Sequence, residues 1–172
     1  MTTPRRYLEE VIRVDHAGEY GAKRIYQGQL AVLRGTKHEA TIQHMQEQEQ
    51  EHLDAFSRLI ATRRVRPTAL LPLWHVAGFA LGAATAAFGS RAAMACTVAV
   101  EEAIDEHYAA QEVALGDDES ALRSDIGRFR AEELEHRDIG LANEAELTPG
   151  YRFLSAAIKF GCKVAIRVSE KI

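Results

Sequence analysis

The chain has 172 residues, 47% of them hydrophobic, and a formal net charge of −4 with a pI of about 6.0. This length suits one domain with one core, and the charge argues against a general attraction to nucleic acid. Its two cysteines, Cys96 and Cys162, form no CxxC pair, which argues against a disulfide framework or thiolate metal site and fits a reducing cytoplasm. The first residues, MTTPRRYLEE, lack the apolar run of a secretory signal.

In chain order, the apolar periodicity predicts five long helices and one shorter apolar segment. The helices cover about residues 5–33, 37–64, 91–115, 118–144 and 153–170, and the apolar segment covers about 70–88. The breaks between them are marked by Gly35, Pro67, Pro72, Gly116 and Pro149. Alternation typical of strands is scarce, so the sequence predicts an all-α fold in a single domain, residues 1–172.

Each of the first four long helices places a glutamate in the middle of an apolar face. In the second helix this face consists of Ile42, Met45, Glu49, His52, Phe56 and Leu59, at steps of three and four residues. The fourth helix repeats the layout around Glu133 and His136, while the first and third carry Glu19 and Glu101. We therefore expect four glutamates and two histidines to be buried.

The two halves of the chain repeat one pattern. Glu19 precedes an ExxH motif, Glu49 to His52, by 30 residues, and Glu101 precedes Glu133 to His136 by 32. A tyrosine follows the isolated glutamate by seven residues in both halves, as Tyr26 and Tyr108. Two equivalent helical hairpins, about 5–64 and 91–144, joined by a long crossover predict a four-helix bundle.

This pattern predicts a metal site. Both side chains of an ExxH step leave one helix face a turn apart, and four Glu with two His form the ligand set of di-iron and di-manganese carboxylate bundles. Four carboxylates about 5 Å apart would repel by roughly 3 kcal/mol per pair at an effective dielectric near 20. Six pairs reach about 20 kcal/mol, more than a domain's usual stability. Two cations would relieve this repulsion, and the donors suit iron or manganese better than structural zinc.

A single ExxH motif is usually a solvated helix face, and other acids lie beside the predicted ligands. We expect these to be surface groups or groups that support a ligand from outside: Glu47, Glu51, Glu102, Glu106, Glu132 and Glu135. Glu101 is preferred to Glu102 because it aligns with the apolar face of its helix. Asp54 and Asp138 either orient a ligand histidine from a neighbouring helix or are plain surface aspartates.

Segments inside and outside these faces carry a resemblance to a known family. They are RVDHAGEYGA (13–22), QEQEH (48–52), RVRPT (64–68), LPLWHVAGFALGA (71–83), ACTVAVEE (95–102), EELEHRDIGLANEAEL (132–147) and GCKVAIRVSEKI (161–172). Together they resemble the demethoxyubiquinone hydroxylases, ring-hydroxylating enzymes of ubiquinone biosynthesis. Family members in mitochondria carry a leader before this region, so a bacterial protein or a mature form would both fit.

The resemblance implies a ferritin-like bundle that holds two iron ions. Its ligands would be Glu19, Glu49, His52, Glu101, Glu133 and His136, in agreement with the apolar faces. It also implies a monooxygenase that hydroxylates the one unsubstituted ring carbon of a polyprenylated methoxy-methyl-benzoquinol, with O2 and electrons from NADH. Manganese stays open, as do a partner protein of ubiquinone biosynthesis and a homo-oligomer.

The path of the electrons is open as well. The sequence has no GxGxxG fingerprint, so NADH either binds a shallow site or passes electrons through the quinone ring to iron. Tyr26 and Tyr108, a turn or two from the predicted ligands, are the candidate catalytic side chains for moving electrons or protons. They could equally be packed core tyrosines with hydrogen-bonded hydroxyls.

A polyprenyl quinone lies in a membrane, and residues 67–90 contain no Asp, Glu, Lys or Arg. This length could span a bilayer, but a span would separate the two hairpins and break the six-ligand site. We therefore expect an interfacial segment. The last helix carries Lys159, Lys163 and Arg167 on one face, which supports a peripheral position. That position would be the cytoplasmic face of a bacterial inner membrane, or the matrix side of the mitochondrial one. Packing of this helix on the bundle or on a partner is the alternative.

Two other functions remain open. The first is a ferroxidase or peroxide-scavenging role like that of ferritin or rubrerythrin relatives, which needs no lipid-facing apolar segment. The second is an accessory protein that binds prenylated quinone for partner enzymes, with a structural metal. The bundle alone does not choose among these functions.

Overall fold

The fold consists of six α-helices, and a computed structural model describes residues 2–172. The helices are α1 (Arg5–Leu33), α2 (Glu39–Arg63), α3 (Leu71–Ala87), α4 (Ser90–Ala114), α5 (Ser120–Ala142) and α6 (Tyr151–Ser169). Short 3-10 turns at Asp117–Glu119 and Ala145–Leu147 flank α5. No strand occurs within residues 2–172, which confirms the all-α prediction.

The helices form a ferritin-like four-helix bundle with two additions. One hairpin is α1 with α2, and the other is α4 with α5. The crossover helix α3 packs along α1, and α6 packs along α4. The predicted bundle, its apolar crossover and its additional C-terminal helix are therefore confirmed.

Backbone conformation at the helix ends explains where the predicted limits differ. The chain turns after α1 at Gly35, whose φ is 78°, and the Gly35 amide donates to the carboxylate of Glu39 at 2.7 Å. Glu39 is the first residue of α2, so this helix begins two residues later than predicted. Helix α5 ends at Ala142 rather than near 144, because Glu144 takes a left-handed φ of 64°.

Glycines let α3 lie directly against α1. A Cβ on Gly82 would overlap the carbonyl oxygen of Ile25, and one on Gly78 would lie 2.8 Å from the carbonyl oxygen of Gly21. A Cβ on Gly28 of α1 would meet the carbonyl oxygen of Phe79. The small residues at these positions therefore allow the two backbones to touch.

Apolar clusters fill the bundle on both sides of the predicted ligands. One cluster contains Tyr26, Ile42, Met45, Met94 and Val98, and the other contains Ile12, Phe56, Tyr108, Ile126 and Phe129. Along α2, Glu49 and His52 lie between Met45 and Phe56. The acids are thus enclosed by apolar side chains at both ends, away from water.

The outer faces of α3 and α6 expose large apolar side chains. They include Leu73, Val76, Phe88, Phe153, Phe160 and Val164. Two of the basic residues of α6 contact acids of α4: Lys159 pairs with Glu102, and Lys163, which stays exposed, lies 2.8 Å from Glu106. None of the helices within residues 2–172 combines the length and the apolar character needed to cross a bilayer.

Candidate metal centre

All six predicted ligands lie in the core of the bundle, each at most 1% exposed. They form two groups, and within each group one ligand atom per residue lies within 4.8 Å of the others. The first group is Glu19, Glu49, His52 and Glu133, and the second is Glu49, Glu101, Glu133 and His136. Glu49 and Glu133 belong to both groups, so their carboxylates lie between two candidate cation positions.

The ligand atoms make no hydrogen bonds of good geometry, although Nδ1 of His52 lies 3.1 Å from Glu133 Oε1 and Nδ1 of His136 lies 3.2 Å from Glu133 Oε2. Within residues 2–172, 13 buried side-chain nitrogen and oxygen atoms make no such hydrogen bond, and eight of them belong to the six predicted ligands. They are Oε2 of Glu19 and Glu101, both carboxylate oxygens of Glu49 and Glu133, and Nδ1 of His52 and His136. Unpaired buried polar atoms are costly. Eight of them converging on two points form a donor set that fits a pair of metal ions.

Each tyrosine reaches across the bundle to a carboxylate of the other half. The Tyr26 hydroxyl of α1 donates to Glu101 Oε1 of α4 at 2.6 Å, and the Tyr108 hydroxyl of α4 donates to Glu19 Oε1 of α1. These bonds leave Oε2 of both carboxylates without a partner. The two halves therefore exchange equivalent contacts, as their shared pattern predicts.

The outer nitrogen of each histidine is held by the residue four positions before the other histidine. His52 Nε2 lies 2.6 Å from Glu132 Oε2, and His136 Nε2 lies 3.0 Å from Gln48 Oε1. Because a carboxylate and an amide oxygen both accept hydrogen bonds, each Nε2 carries a proton, and each Nδ1 is the ring nitrogen that faces the candidate metal positions. One histidine is thus supported by a charged group and the other by a neutral one.

The aspartates considered for this supporting role do not fill it. Asp54 is exposed and accepts a hydrogen bond from Gln50 at 2.7 Å, and exposed Asp138 pairs with Arg137 at 2.6 Å. Each follows its histidine by two residues, which turns it away from the core face of its helix. They are surface aspartates, the second of the two expectations.

Burial and mutual charge disturb the ionisation of the ligands. Burial and the Glu133 carboxylate raise the pKa of Glu49 and of Glu101 well above its usual value of 4.5. Burial also opposes ionisation of Glu133, but contacts with His136 and His52 lower its pKa to about 2. For His52, burial favours the neutral ring, but Glu19 and Glu133 raise its pKa to about 12. So much enclosed negative charge needs cations or protons to balance it.

The acids beside the ligands take the two expected roles, as surface groups or as support for a ligand. Glu102 and Glu106 pair with α6, and Glu47, Glu51 and Glu135 are exposed. Glu132 instead contacts His52 directly. Sequence reasoning did not find Gln48 at all, although it occupies in the first half the position that Glu132 occupies in the second.

Comparisons with known proteins agree with the geometry. Residues 6–169 match the family model described as ubiquinone biosynthesis protein COQ7. A protein of Rhodospirillum rubrum named 3-demethoxyubiquinol 3-hydroxylase is 58% identical over 171 residues, covering 99% of this chain and 81% of the relative. A human protein named NADPH-dependent 3-demethoxyubiquinone 3-hydroxylase, mitochondrial, is 54% identical over 172 residues, covering 98% and 79%. A Saccharomyces cerevisiae protein named 5-demethoxyubiquinone hydroxylase, mitochondrial, is 39% identical over 183 residues, covering 96% and 78%.

Proposed function

Because the chain belongs to the ubiquinone biosynthesis protein COQ7 family, we propose that it hydroxylates the ring of a polyprenylated demethoxyubiquinone-type benzoquinol. Its relatives are named hydroxylases of this kind, which makes a hydroxylase of ubiquinone biosynthesis the supported function. The observation that carries the proposal for this chain is the enclosed cluster of eight unpartnered donor atoms. Such a cluster serves a metal-dependent oxidation better than any metal-free reaction.

We assign two iron ions to this cluster. Glu19 and His52 would hold one ion, Glu101 and His136 the other, and Glu49 and Glu133 lie within reach of both. Imidazole and carboxylate donors suit iron, and manganese has a similar preference. When bound, a pair of iron ions supplies the activation of O2 and the oxidising power that converts a ring C–H group to C–OH.

The protein supplies position and a dry environment. Tyr26 and Tyr108 hold Oε1 of Glu101 and Glu19, so only one oxygen of each carboxylate remains for a metal. Phe56 and Phe129 pack at 5.6 Å between ring centroids, and Phe129 lies 4.2 Å from the His52 ring. These rings keep water from the ligands, which strengthens the electrostatic interactions inside the site.

For the tyrosines we propose that each orients a ligand carboxylate and can pass its hydroxyl proton to it. Burial, followed by the neighbouring carboxylate, raises the pKa of both phenols well above 10.0, so both hydroxyls stay protonated at neutral pH. Turnover and iron reduction that are unchanged in Tyr108→Phe would leave Tyr108 as a packing residue.

The reductant is proposed to be a reduced nicotinamide nucleotide. The sequence analysis favoured NADH, whereas the human relative is named NADPH-dependent. Without a GxGxxG fingerprint, electrons would enter from a shallow site or by way of the quinone ring. Parallel assays with NADH and NADPH at equal concentrations decide which nucleotide this chain prefers.

A membrane position follows from the substrate and from the exposed apolar side chains. Phe88, Phe153 and Phe160 are 88%, 82% and 71% exposed on α3 and α6. We propose that these helices lie on the membrane surface and give the prenylated ring access to the bundle. Since Lys159 and Lys163 pair with α4, apolar contact rather than basic charge would provide most of the binding.

The test is a hydroxylation assay on the iron-loaded protein in liposomes that contain demethoxyubiquinone, with 18O2 and a nicotinamide nucleotide. We expect one labelled oxygen atom in the product. Glu49→Gln should abolish product formation and keep the fold and liposome binding. Glu51→Gln, on the exposed face of the same helix, is the matched control and should retain activity.

Two outcomes would contradict this function. Ferrous iron that is oxidised and stored without a hydroxylated product would favour a ferroxidase. Tight binding of the quinone, with no turnover and no effect of Glu49→Gln, would favour an accessory protein with a structural metal.

A further inference from the structure

A second polar cluster lies one helical turn from the metal centre. Asp15 of α1, only 2% exposed, precedes Glu19 by four residues on the same helix face. Asp15 Oδ1 accepts a hydrogen bond from Gln111 Nε2 at 2.8 Å and lies 3.2 Å from His107 Nε2, which itself lies 2.8 Å from Gln111 Nε2. Asp15 Oδ2 and Gln111 Oε1 have no partner within residues 2–172. A buried acid with a free oxygen needs an explanation beyond packing.

The opposite end of the centre has an equivalent arrangement without ionisable groups. Gln29 Nε2 of α1 lies 3.3 Å from Thr97 Oγ1 of α4, and this contact is equivalent to the one between Gln111 Nε2 and Asp15. Gln29 follows Tyr26 by three residues, and Gln111 follows Tyr108 by three. At the Glu19 end, Asp15 occupies the position equivalent to Thr97, and His107 occupies the position equivalent to Ile25. An ionisable pair was therefore placed at one end alone.

This pair also reaches the surface. The His107 side chain is 17% exposed and borders a cavity of about 260 Å³. The groups that line this cavity or face His107 are Tyr7, Glu10, Val11, Val14, Ala110, Gln111 and Glu170, together with Asp15. Solvent can thus exchange protons with His107, whereas Asp15 lies wholly inside.

We propose that His107 and Asp15 form a proton relay from this cavity to the Tyr108–Glu19 pair. The protonated His107 ring gives its Nε2 proton to Asp15 Oδ1, and Nε2 of the neutral ring then accepts a hydrogen bond from Gln111 Nε2. The Asp15 carboxyl group passes a proton inward. The next group, Glu19, lies one turn along α1 from Asp15, roughly 6 Å between Cβ atoms, which one bridging water molecule can span. The Tyr108 hydroxyl already donates to Glu19, so the path ends on a carboxylate of the centre.

The proposed function, on which this inference rests, requires such a supply. Hydroxylation by O2 breaks the O–O bond and a ring C–H bond, and it forms one C–OH group and one water molecule. Two electrons and two protons must therefore enter a site closed to bulk water. A reduced nicotinamide supplies both electrons and one proton as hydride, and the second proton comes from solvent.

Ionisation of the pair suits proton transfer. Burial raises the pKa of Asp15 above its usual 3.8, against the opposing effect of His107 and Gln111. Burial also favours the neutral ring of His107, but its hydrogen bond to Asp15 and the charges of Asp15 and Glu170 raise its pKa above 6.5. His107 therefore keeps its proton to a higher pH than an ordinary imidazole and loses it as the pH rises further.

Three variants of the iron-loaded protein test the relay. Asp15→Asn and His107→Gln should reduce the O2-dependent single-turnover rate by about 100-fold, the usual loss of a positioned proton donor. The wild-type rate should fall as the pH rises through the raised pKa of His107, and this fall should vanish in both variants. Thr97→Val, the matched change at the other end, should keep the wild-type pH profile.

Two further measurements separate a relay from a packing role. Added imidazole should restore turnover to His107→Ala, because the adjoining cavity can hold it, and should not accelerate the wild type. In zinc-loaded protein, the NMR titration of His107 should give a pKa above 6.5 that falls in Asp15→Asn. Iron content and melting temperature should match the wild type.

The relay is overturned if the wild type hydroxylates while Asp15→Asn and His107→Gln keep its rate and pH profile, or if imidazole restores nothing. A wild type that forms no product instead contradicts the proposed function. An unchanged His107 titration in Asp15→Asn shows that the two groups are not coupled, which also overturns the relay.

Discussion

Replacing Glu132 by glutamine should weaken the metal position formed by Glu19 and His52 and leave the other position nearly unchanged. Glu132 Oε2 accepts the His52 Nε2 proton at 2.6 Å, whereas the equivalent bond from His136 to Gln48 is 3.0 Å and neutral. A negatively charged acceptor makes the imidazole a stronger metal donor. Glu132→Gln should therefore make the two positions alike.

The size of the effect follows from these contacts. A hydrogen bond to a charged group contributes about 1.5–3 kcal/mol and a neutral one about 0.5–1.5 kcal/mol. Replacing the charged acceptor by a neutral one therefore weakens the support of His52 by about 1–1.5 kcal/mol. Glu132 is 24% exposed and its other oxygen lies 3.2 Å from Arg128, which weakens its charge, so we take the lower value. About 1 kcal/mol corresponds to a roughly fivefold loss of affinity at that position.

The measurement is anaerobic titration calorimetry with Fe²⁺ on the metal-free protein. The wild type should bind two ions with different affinities, and Glu132→Gln should bring the weaker and stronger steps together. Gln48→Glu is the matched variant and should strengthen binding at His136 by a similar factor. Mössbauer spectra should show two iron environments that become more alike in Glu132→Gln. Isotherms of both variants within twofold of the wild type would refute the reasoning.

Three further predictions follow from the structure. Glu101→Leu should abolish binding at one metal position yet raise the unfolding free energy of the metal-free protein, because a buried carboxylate is replaced by an apolar group; a urea titration with chelator present that shows a less stable variant would contradict this. Gly82→Ala should lower the unfolding free energy by about 1–3 kcal/mol, because the added Cβ overlaps Ile25. Gly18→Ala, where a Cβ has nothing within 4 Å, should raise it by up to about 1 kcal/mol. Equal melting temperatures of the two variants would argue against the close contact of α1 and α3. The double variant Phe153→Ser and Phe160→Ser should reduce liposome flotation at least about tenfold, given about 25 cal/mol per Å² of apolar surface. Val113→Ser, at a position 88% exposed on α4, should not reduce it. Equal flotation of the wild type and both variants would place the membrane contact elsewhere.

Periodicity and repetition predicted the helices and all six residues that meet in the core. Apolar faces with one acid each, spaced alike in two halves, leave few other ways to bury Glu49 and Glu133. Glu101 rather than Glu102 followed from the same rule, because a shift of one position turns a side chain by about 100° around a helix.

The periodicity of single helices could not predict which side chains contact each other between helices. Whether Glu132, Asp54 or Asp138 reaches a histidine depends on how α2 and α5 are rotated against each other, and this rotation is set by packing in three dimensions. The cavity beside His107 was missed for the same reason, since its walls come from α1, α4 and the end of α6. The basic face of α6 suggested contact with a membrane surface, but Lys159 and Lys163 contact acids on α4.

The presence of both hairpins in one polypeptide has a consequence for the chemistry. Two separate, identical hairpins could also bring four glutamates and two histidines together, but symmetry would force every neighbour to be the same on both sides. Fusion removes this constraint, so a charged acceptor can back one imidazole and an amide the other, and an acid can occupy one end where threonine occupies the opposite one. Point substitutions can then change the surroundings of one candidate metal position without changing those of the other.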